Sequence, residues 1–213
     1  ADAGVILGQQ ATATKSNEKT AIPDLLASLA LEGCIVTIDA MGTQPSIAQA
    51  IRDRRADYVL AIKDNQPQLK EAIDDFFEQF CAAPAAQTPH QVNEEVNKAH
   101  GRLETRRCYV FDALDCLPKP ARWPDLRCFV VIESTRESRG KTEQERRYYL
   151  SSLEPNADQV AKAVRQHWRI ENQVHWCLDV TFADDQMRAR TAHAGHNLAT
   201  LKRLTLNLIR LDP

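Results

Sequence analysis

The chain has 213 residues, a formal net charge of −2 and 43% hydrophobic residues. At about 150 residues per domain, this length predicts one or two domains with a packed core, which excludes wholesale disorder. The 27 Lys and Arg residues are balanced by 29 Asp and Glu residues, which excludes a histone-like or tail-driven nucleic-acid binder. No stretch approaches the ~18 apolar residues of a membrane span.

The six cysteines form no Cys-x-x-Cys pair, which excludes zinc ribbons and thioredoxin-like motifs. Several of them lie in apolar runs, where a free cysteine behaves as a small hydrophobic residue. We therefore expect reduced core cysteines in a cytosolic protein.

The first part of the chain predicts one strand and one helix. Residues 5–13 favour a strand, with β-branched residues at both ends. Residues 22–31 have helical spacing, with Pro23 in the first turn and Thr20 as a candidate cap. Gly33 is the expected stop signal of this helix.

The next segments alternate between apolar β-branched runs and amphipathic stretches. Residues 34–39 and 57–62 are typical of buried parallel strands. Helices are expected within 41–55 and over 68–80, with a turn at 63–67. The alternation of helix and strand from 20 to 80 predicts an α/β fold.

The pattern changes after residue 81. Residues 82–99 are polar and contain prolines, which predicts a connection. Three strand-like segments follow at 102–112, 127–135 and 145–153, and we expect them to pair in antiparallel fashion. The chain then returns to helix, at 156–180 with Asn156 as cap and at 193–211.

Asp39 is the first candidate functional residue. It follows a predicted buried strand and precedes Ala-Met-Gly. In open α/β sheets, ligands bind outside the carboxyl ends of strands, so a carboxylate there faces a site. The alternative interpretation is a helix cap or turn residue, and the sequence leaves both open.

Glu171 is the second candidate. In one continuous helix, His167, Glu171 and His175 share a face at i, i+4 and i+8, where a Glu between two His could ligate a metal. This spacing is not the His-Glu-x-x-His signature of zinc hydrolases. The alternative is a solvated helix face. Further acidic residues follow at Asp179, Asp184 and Asp185.

Two carboxylates from distant segments, without a cysteine ligand or a P-loop, suggest a hard cation such as Mg²⁺. Two such ions serve in-line phosphoryl displacement. These sites usually need at least three carboxylates, and no third candidate as convincing as Asp39 and Glu171 stands upstream. Asp2 lies too near the terminus to be held by a strand.

Basic residues concentrate in the strand-rich region and near the C-terminus. Charges on strand faces are usually just solvated, whereas a turn with many cations suggests phosphate contact. The cations are Arg102, Arg106 and Arg107 on one strand, Arg136, Arg139, Lys141, Arg146 and Arg147 around a turn, and Arg188, Arg190, Lys202 and Arg203 later.

Five blocks of the sequence match one known family in its own order and span nearly the whole chain. They are KSNEKTAIPDLL, IVTIDAMGTQ, DYVLAIKDNQP, HGRLETR and HWRIENQVHWCLDVTFADD. The chain strongly resembles the insertion-sequence DDE transposases of the H-repeat-associated, ISAs-type family.

The resemblance implies an RNase H-like catalytic core of α/β class, with a β-rich insertion before the helix that carries the catalytic Glu. It divides the chain into a first part of the core at 1–80, the insertion at 81–152 and the C-terminal helices of the core at 153–213.

The resemblance also implies a catalytic and metal-binding set of two Asp and one Glu that holds two Mg²⁺ ions, with Mn²⁺ as a substitute. Asp39 in TIDAMG matches the second Asp and Glu171 in HWRIEN matches the Glu. The first Asp of the family lies on an opening strand. We expect that strand upstream of residue 1, so that this chain lacks the first strands and is inactive by itself.

DNA contacts are implied as well. Lys63 and Asn65, just past a strand end, are expected near the site, and Arg102 and Arg106 on the insertion are expected to hold the DNA backbone. A related transposase group carries a Tyr-Arg-Glu-Lys signature around its Glu, which this chain lacks. We expect His167, Arg169 or Asn172 to substitute for that cation pattern.

The resulting prediction is a transposase that cleaves DNA strands and transfers them by phosphoryl transfer, with water or a DNA 3′-OH as nucleophile. The expected partners are the element ends, the target DNA and a second copy of the chain, and no membrane. The expected location is the bacterial cytoplasm, at the nucleoid when acting. The alternatives are an inactive or domesticated relative that binds DNA without cutting, and a two-metal nuclease of the same fold.

Overall fold

The computed structural model describes residues 4–10, 18–83, 88–99, 102–138, 140–189 and 191–212. Within these ranges the protein is a mixed α/β structure with six strands and five α-helices. The helices are α1 Glu18–Ala27, α2 Pro45–Arg52, α3 Pro67–Ala82, α4 Ala157–Ile170 and α5 Ala194–Leu211. The strands are β1 Ile35–Ile38, β2 Asp57–Ile62, β3 His90–Ala99, β4 Arg102–Phe111, β5 Cys128–Ser138 and β6 Lys141–Ser151.

The chain divides into two compact units. One unit comprises residues 31–164, and the other comprises residues 1–30 together with 165–213. All six described strands lie in the first unit. Among the described residues, no helix has the length and apolar character that crossing a membrane requires.

The strands of the first unit form one sheet in the order β1-β2-β6-β5-β4-β3. β1 and β2 are parallel, as predicted, and every other neighbouring pair is antiparallel. The predicted alternation of helix and strand from 20 to 80 is confirmed. The antiparallel pairing of the three later strands, β4 to β6, is confirmed too. β6 also pairs with β2 and so joins the antiparallel strands to the parallel pair.

The prediction of a connection at 82–99 is wrong from residue 90 onward. His90–Ala99 is a strand that pairs along its whole length with β4. β3 is an edge strand whose Val92 and Val96 are more than half exposed. Because little of its surface is buried, its sequence lacks the apolar pattern that marks an interior strand.

The two parallel strands differ in burial. Tyr58, Val59 and Leu60 in β2 are almost completely buried, as predicted. The predicted burial of β1 is wrong, since Ile35 is 37% exposed and the rest of the strand is half-buried. β1 lies at the sheet edge, so only one side of it is covered by a neighbouring strand.

Aromatic packing fixes α3 against one face of the sheet. The ring of Phe76 lies 5.2 Å from the rings of both Phe111 and Phe129, in edge-to-face geometry. Phe77 is fully buried and its ring lies 5.0 Å from that of Tyr109. Edge-to-face pairs of this kind add to the stabilisation from buried area.

The start of α4 is fixed to β3 by hydrogen bonds. Asn93 Nδ2 donates to Asp158 Oδ1 at 2.7 Å, and the backbone N–H of Ala157 donates to Gln91 Oε1 at 3.3 Å. Asn156 caps the helix as predicted, because its Oδ1 accepts from the backbone N–H of Gln159 at 2.9 Å.

The second unit corrects two predictions near the N-terminus. Residues 5–10 form no strand, and 11–13 lie outside the described residues. The backbone of Ile6 is instead hydrogen-bonded to the side-chain amide of Asn207 in α5, at 2.8 and 2.7 Å. Helix α1 begins before Thr20, which therefore does not cap it, and it ends at Ala27.

Gly33 does not end α1, contrary to the prediction. It has a positive φ of 72° in the turn before β1, a conformation that glycine adopts at low cost. Its backbone N–H donates to the carbonyl of Arg55 at 2.9 Å. The turn is thereby attached to the end of the segment that leads into β2.

The predicted helix at 156–180 is confirmed only in part. After α4 the chain continues in wider π-helical turns at Glu171–His175 and Cys177–Thr181. π-turns are rare and occur frequently at functional sites. The predicted C-terminal helix is confirmed as α5.

All six cysteines lie within the described ranges and are free thiols. Cys108 and Cys128 are buried, as expected for core residues, whereas Cys34 and Cys81 are exposed. The expectation of core cysteines is therefore right for the strands β4 and β5 and wrong at these exposed positions.

We predict that a maleimide reagent at pH 8 labels the exposed Cys34 rapidly and labels Cys108 and Cys128 only after unfolding. Burial raises the pKa of both buried thiols from 9.0 to about 12, so they remain protonated and shielded. The pKa of each buried thiol is higher in the folded than in the unfolded state. The protonated thiols therefore stabilise the folded state fully below pH 9, and this stabilisation is lost as the pH rises towards 12. Mass spectrometry of digested protein with and without urea measures this, and fast labelling of Cys128 in the folded protein would contradict it.

Candidate functional site

Asp39 follows the last residue of β1, and its side chain is exposed. β1 and β2 are parallel, so the segments that follow Ile38 and Ile62 leave the sheet at the same edge. This edge is where ligands bind in open α/β sheets. The candidate site is built from these two segments.

The segment after β1 is attached to the segment after β2 by side-chain hydrogen bonds. The hydroxyl of the buried Thr43 donates to the carbonyl of Ala61 at 2.6 Å. Gln66 Nε2 donates to the carbonyl of Thr43 at 3.1 Å, and Asn65 Nδ2 donates to the carbonyl of Ala40. The backbone around Asp39 is therefore held by its neighbour as well as by its own strand.

The structure places Asp39 at the start of a turn, as the alternative interpretation expects, but without a side-chain capping bond. The turn is the short 3₁₀ helix Ala40–Gly42. The turn is closed by the backbone, because the N–H of Gly42 donates to the carbonyl of Asp39 at 2.9 Å.

Lys63 and Asn65 lie at the same edge. Lys63 is exposed. The side-chain amide of Asn65 makes two hydrogen bonds: its Oδ1 accepts from the backbone N–H of Lys63 at 3.0 Å, and its Nδ2 donates to the carbonyl of Ala40. Asn65 thus has a structural role in the loop. Its contact with DNA, like that of Lys63, stays a prediction.

Glu171 is the first residue of the π-helical turn that follows α4, and it belongs to the other unit. The side chains of Glu171 and Asn172 lie outside what the structure describes. His167 is half-buried with its ring 6.2 Å from that of Trp168, and Arg169 is exposed. The backbone at Glu171–His175 has the i→i+5 bonding of a π-helix and so departs from α-helical spacing.

The later acidic residues have different roles. Asp184 pairs with Lys202 at 2.9 Å and lies 3.9 Å from Arg203, both on α5. Asp179 and Asp185 are exposed. Asp184 is therefore committed to an ion pair within its own unit.

Among the described side chains, no group of three or more His, Cys, Asp or Glu residues is placed to hold a metal. The described part of the candidate site offers two carboxylates, Asp39 and Asp64, and Asp64 pairs with Lys70 at 2.9 Å. Carboxylate oxygen is the donor that Mg²⁺ prefers, so the donor chemistry fits a hard cation.

The predicted phosphate-binding cations fall into two groups. Arg106 is half-buried and pairs with Glu104 at 2.6 Å, and Arg146 pairs with Glu133 at 3.1 Å. Arg102 is exposed at the start of β4. Arg139 and Arg190 lie outside the described residues.

Sequence reasoning missed the hydrogen bonds of Thr43 and Gln66. The available signal was the Gln-Pro pair that precedes each helix after a strand, at 44–45 and 66–67. Proline at the first helical position marks both helix starts, as in α2 and α3. The sequence gives no sign that the two loops bind each other.

Comparisons with known proteins agree on one family. The pattern of the family described as "Transposase DDE domain" matches residues 1–208. The chain is 38% identical over 97% of its length to "Putative transposase YncI" of Escherichia coli O157:H7, covering 53% of that protein. It is 35% identical over 98% of its length to "H repeat-associated putative transposase YhhI" of Escherichia coli K12, covering 56% of that protein.

A further relative is "Putative protein YbfL" of Escherichia coli K12, 36% identical over 98% of the chain and 56% of that protein. The chain thus spans about half the length of these curated relatives. No solved structure matches it.

Proposed function

Because the chain belongs to the transposase DDE domain family, we propose that it contributes to the catalytic core of a transposase that moves an insertion sequence by cutting and joining DNA strands. The core is proposed to have an RNase H-like fold. The substrates are then the element ends and the target DNA, the active form is a homodimer, and the place of action is the bacterial cytoplasm at the nucleoid.

The observation that carries this proposal is the setting of Asp39. Asp39 is exposed at the carboxyl end of a strand, in a loop fixed by Thr43 and Asn65. A carboxylate on such a fixed backbone is pre-organised to bind a cation with little loss of conformational freedom.

We propose Asp39 and Glu171 as catalytic residues and metal ligands, by their match to the second Asp and the Glu of the family. Mg²⁺ suits their oxygen atoms, with Mn²⁺ as a substitute. The chemistry that a pair of such ions supplies when bound is activation of water or a DNA 3′-OH and stabilisation of the leaving 3′ oxygen. The role proposed for the two carboxylates is to hold the ions that would supply this chemistry.

Contacts with DNA are proposed for residues near Asp39, on the β-rich insertion and near Glu171. Lys63, beside Asp39 at the same sheet edge, is placed to attract a phosphate. Further contacts are proposed for Asn65, Arg102, Arg106, His167, Arg169 and Asn172. The exposed positions of Lys63, Arg102 and Arg169 support their availability to a ligand.

We predict that the full-length gene product carrying this chain cuts a labelled duplex with the element ends and joins the cut end to a second duplex, and that both steps stop when EDTA removes divalent metal. Denaturing gels resolve cut and joined products, and a duplex with scrambled ends is the control. Metal-dependent cutting without joining would instead indicate a nuclease. Binding without either step would indicate a relative that has lost the reaction.

A further inference from the structure

The segment that carries Glu171 departs from α-helical geometry in two successive places. Wider π-helical turns run over Glu171–His175 and over Cys177–Thr181, within the unit formed by residues 1–30 and 165–213. π-turns are rare and occur mostly as single turns inside α-helices. Two of them in succession therefore need support from contacts with other elements of the unit.

Helix α5 gives this support at the start of the segment. Arg210 donates from Nη2 to the carbonyl of Gln173, two residues after Glu171, and from Nη1 to the carbonyl of Gly4. Because the guanidinium group presents its donors in a fixed planar fork, one side chain binds both carbonyls in a defined geometry. The first π-helical turn is thereby attached both to α5 and to the segment around Gly4.

Gly4 fits this contact by its size and its backbone conformation. It has a positive φ of 66°, which glycine adopts at low cost. A Cβ atom at this position would lie 3.6 Å from Gln173 Oε1 and 3.7 Å from Arg210 Nη1, so the glycine backbone packs closely on both side chains. Gly4, Gln173 and Arg210 thus meet in one cluster.

Helix α5 also holds the other end of the segment. Lys202 Nζ donates to Asp184 Oδ1 at 2.9 Å, and both side chains are less than one-fifth exposed. The backbone N–H of Asp184 in turn donates to the carbonyl of Leu178 at 3.0 Å. Lys202 and Arg210 are about 12 Å apart along the helix axis, so α5 holds the π-helical segment at two separate points.

The position of α5 is fixed by contacts other than these two cations. The side-chain amide of Asn207 donates to the carbonyl of Ile6 at 2.7 Å and accepts from its backbone N–H at 2.8 Å. Gln9 Nε2 donates to the hydroxyl of Thr200. We therefore expect α5 to keep its place when Arg210 is replaced.

We propose that Arg210 is a positioning residue for Glu171, because it fixes the π-helical turn on which Glu171 stands. This inference rests on the proposed function, which assigns Glu171 as a metal ligand. Arg210 acts through the backbone, since it holds the carbonyl of Gln173 and so limits the orientations of the turn. A ligand on a fixed backbone loses less conformational freedom on binding, and residues that orient metal ligands contribute about 10- to 100-fold to metal affinity.

The test compares the full-length gene product with its Arg210→Gln variant, whose shorter side chain lacks the guanidinium fork. Without metal and DNA, hydrogen exchange of the peptide that covers 171–181 is expected to be at least about fivefold faster in the variant. Mn²⁺ binding, measured by electron paramagnetic resonance of the free ion, is expected to be about tenfold weaker. The Glu171→Gln variant defines which part of the Mn²⁺ binding comes from the proposed site.

The metal dependence of cleavage separates positioning from a general structural role. We expect Arg210→Gln to need about tenfold more Mg²⁺ for half-maximal cleavage of element-end DNA. At saturating Mg²⁺ its rate is expected within about threefold of the unmodified rate, since excess metal restores occupancy of the site. A loss of rate that added Mg²⁺ does not reverse would overturn the proposal.

Arg203→Gln is the matched control, because it removes the same charge from the same helix. Arg203 Nη1 donates to the carbonyl of Ala199 within α5 at 3.0 Å and lies 3.9 Å from Asp184. We expect this variant to stay within about twofold of the unmodified protein in exchange of 171–181 and in Mn²⁺ affinity. Equal effects of the two variants would overturn the proposal, and so would unchanged exchange in Arg210→Gln.

The outcomes separate this inference from the proposed function. Mn²⁺ binding that is weakened by Glu171→Gln but not by Arg210→Gln refutes the positioning role of Arg210 alone. Faster exchange in Arg210→Gln, together with Mn²⁺ binding that Glu171→Gln leaves unchanged, refutes the metal-binding role of Glu171 and retains Arg210 as the residue that fixes the turn.

Discussion

Replacing Asp39 by asparagine is expected to abolish metal-dependent strand cleavage by the full-length gene product while leaving DNA binding in place. Asparagine has nearly the shape of aspartate, and it leaves in place the backbone bond from the N–H of Gly42 to the carbonyl of residue 39 that closes the turn. It removes the negative charge that holds a divalent cation. Stabilisation by a catalytic metal is worth several kcal/mol, so we expect at least about a 100-fold loss of rate.

The measurement is single-turnover cleavage of element-end DNA, with anisotropy as the binding readout. The control is Asp53→Asn, which removes another exposed carboxylate, just after α2, where Asp53 accepts from Gln49 Nε2 at 2.8 Å. This variant is expected to cut at the unmodified rate. Cleavage by Asp39→Asn within about threefold of that rate, a difference under about 1 kcal/mol, would refute the role of Asp39.

The fold elements that the sequence predicts well are those whose own residues carry the signal. β2 is a continuous apolar run because it lies in the interior of the sheet, and α3 shows an apolar stripe because one face packs on the strands. Local pattern and final environment agree in these two elements. Asp39 directly follows β1, a strand that the sequence predicts although its expected burial is wrong, and the catalytic role of Asp39 stays a prediction.

The errors occur where a segment depends on a partner elsewhere in the chain. β3 is polar because it is an edge strand, and its structure comes from backbone pairing with β4. Residues 5–10 have strand-forming residues, but Ile6 bonds a side chain of α5 instead of a strand. The alternation of apolar and polar residues along a segment does not show which strand it will pair with, or whether it will pair with one at all.

The candidate site shows the same limit. The sequence brings Asp39, Lys63 and Asn65 to one sheet edge, but it cannot show that the amide of Asn65 is used to join two loops. It lists many cations in the β-rich region without distinguishing paired from unpaired ones. That distinction depends on cross-strand register, which sets Glu94 opposite Arg107 and leaves Arg102 opposite Ser138.

Phe77→Ala is expected to be the most destabilising single substitution in α3, because Phe77 is the fully buried aromatic residue between this helix and the sheet. Its ring lies 5.0 Å from that of Tyr109 and 6.3 Å from that of Phe111, and the guanidinium carbon of Arg146 lies 5.1 Å from its centroid. Truncation removes these contacts and leaves a cavity, at a cost of about 3–5 kcal/mol.

Urea denaturation gives the free energy of unfolding for Phe77→Ala and two comparison variants. Phe77→Leu keeps most of the volume and is expected to cost under about 1.5 kcal/mol. Val96→Ala, at an exposed position of edge strand β3, is expected to change stability by under about 0.5 kcal/mol. If Phe77→Ala cost no more than Val96→Ala, α3 would be held by its polar contacts instead, such as Tyr148 to Asp74 at 2.5 Å and Arg146 to Glu78. The ring of Phe77 also contacts Tyr109 and Phe111 in β4, so the same variant is expected to increase hydrogen exchange at these two residues.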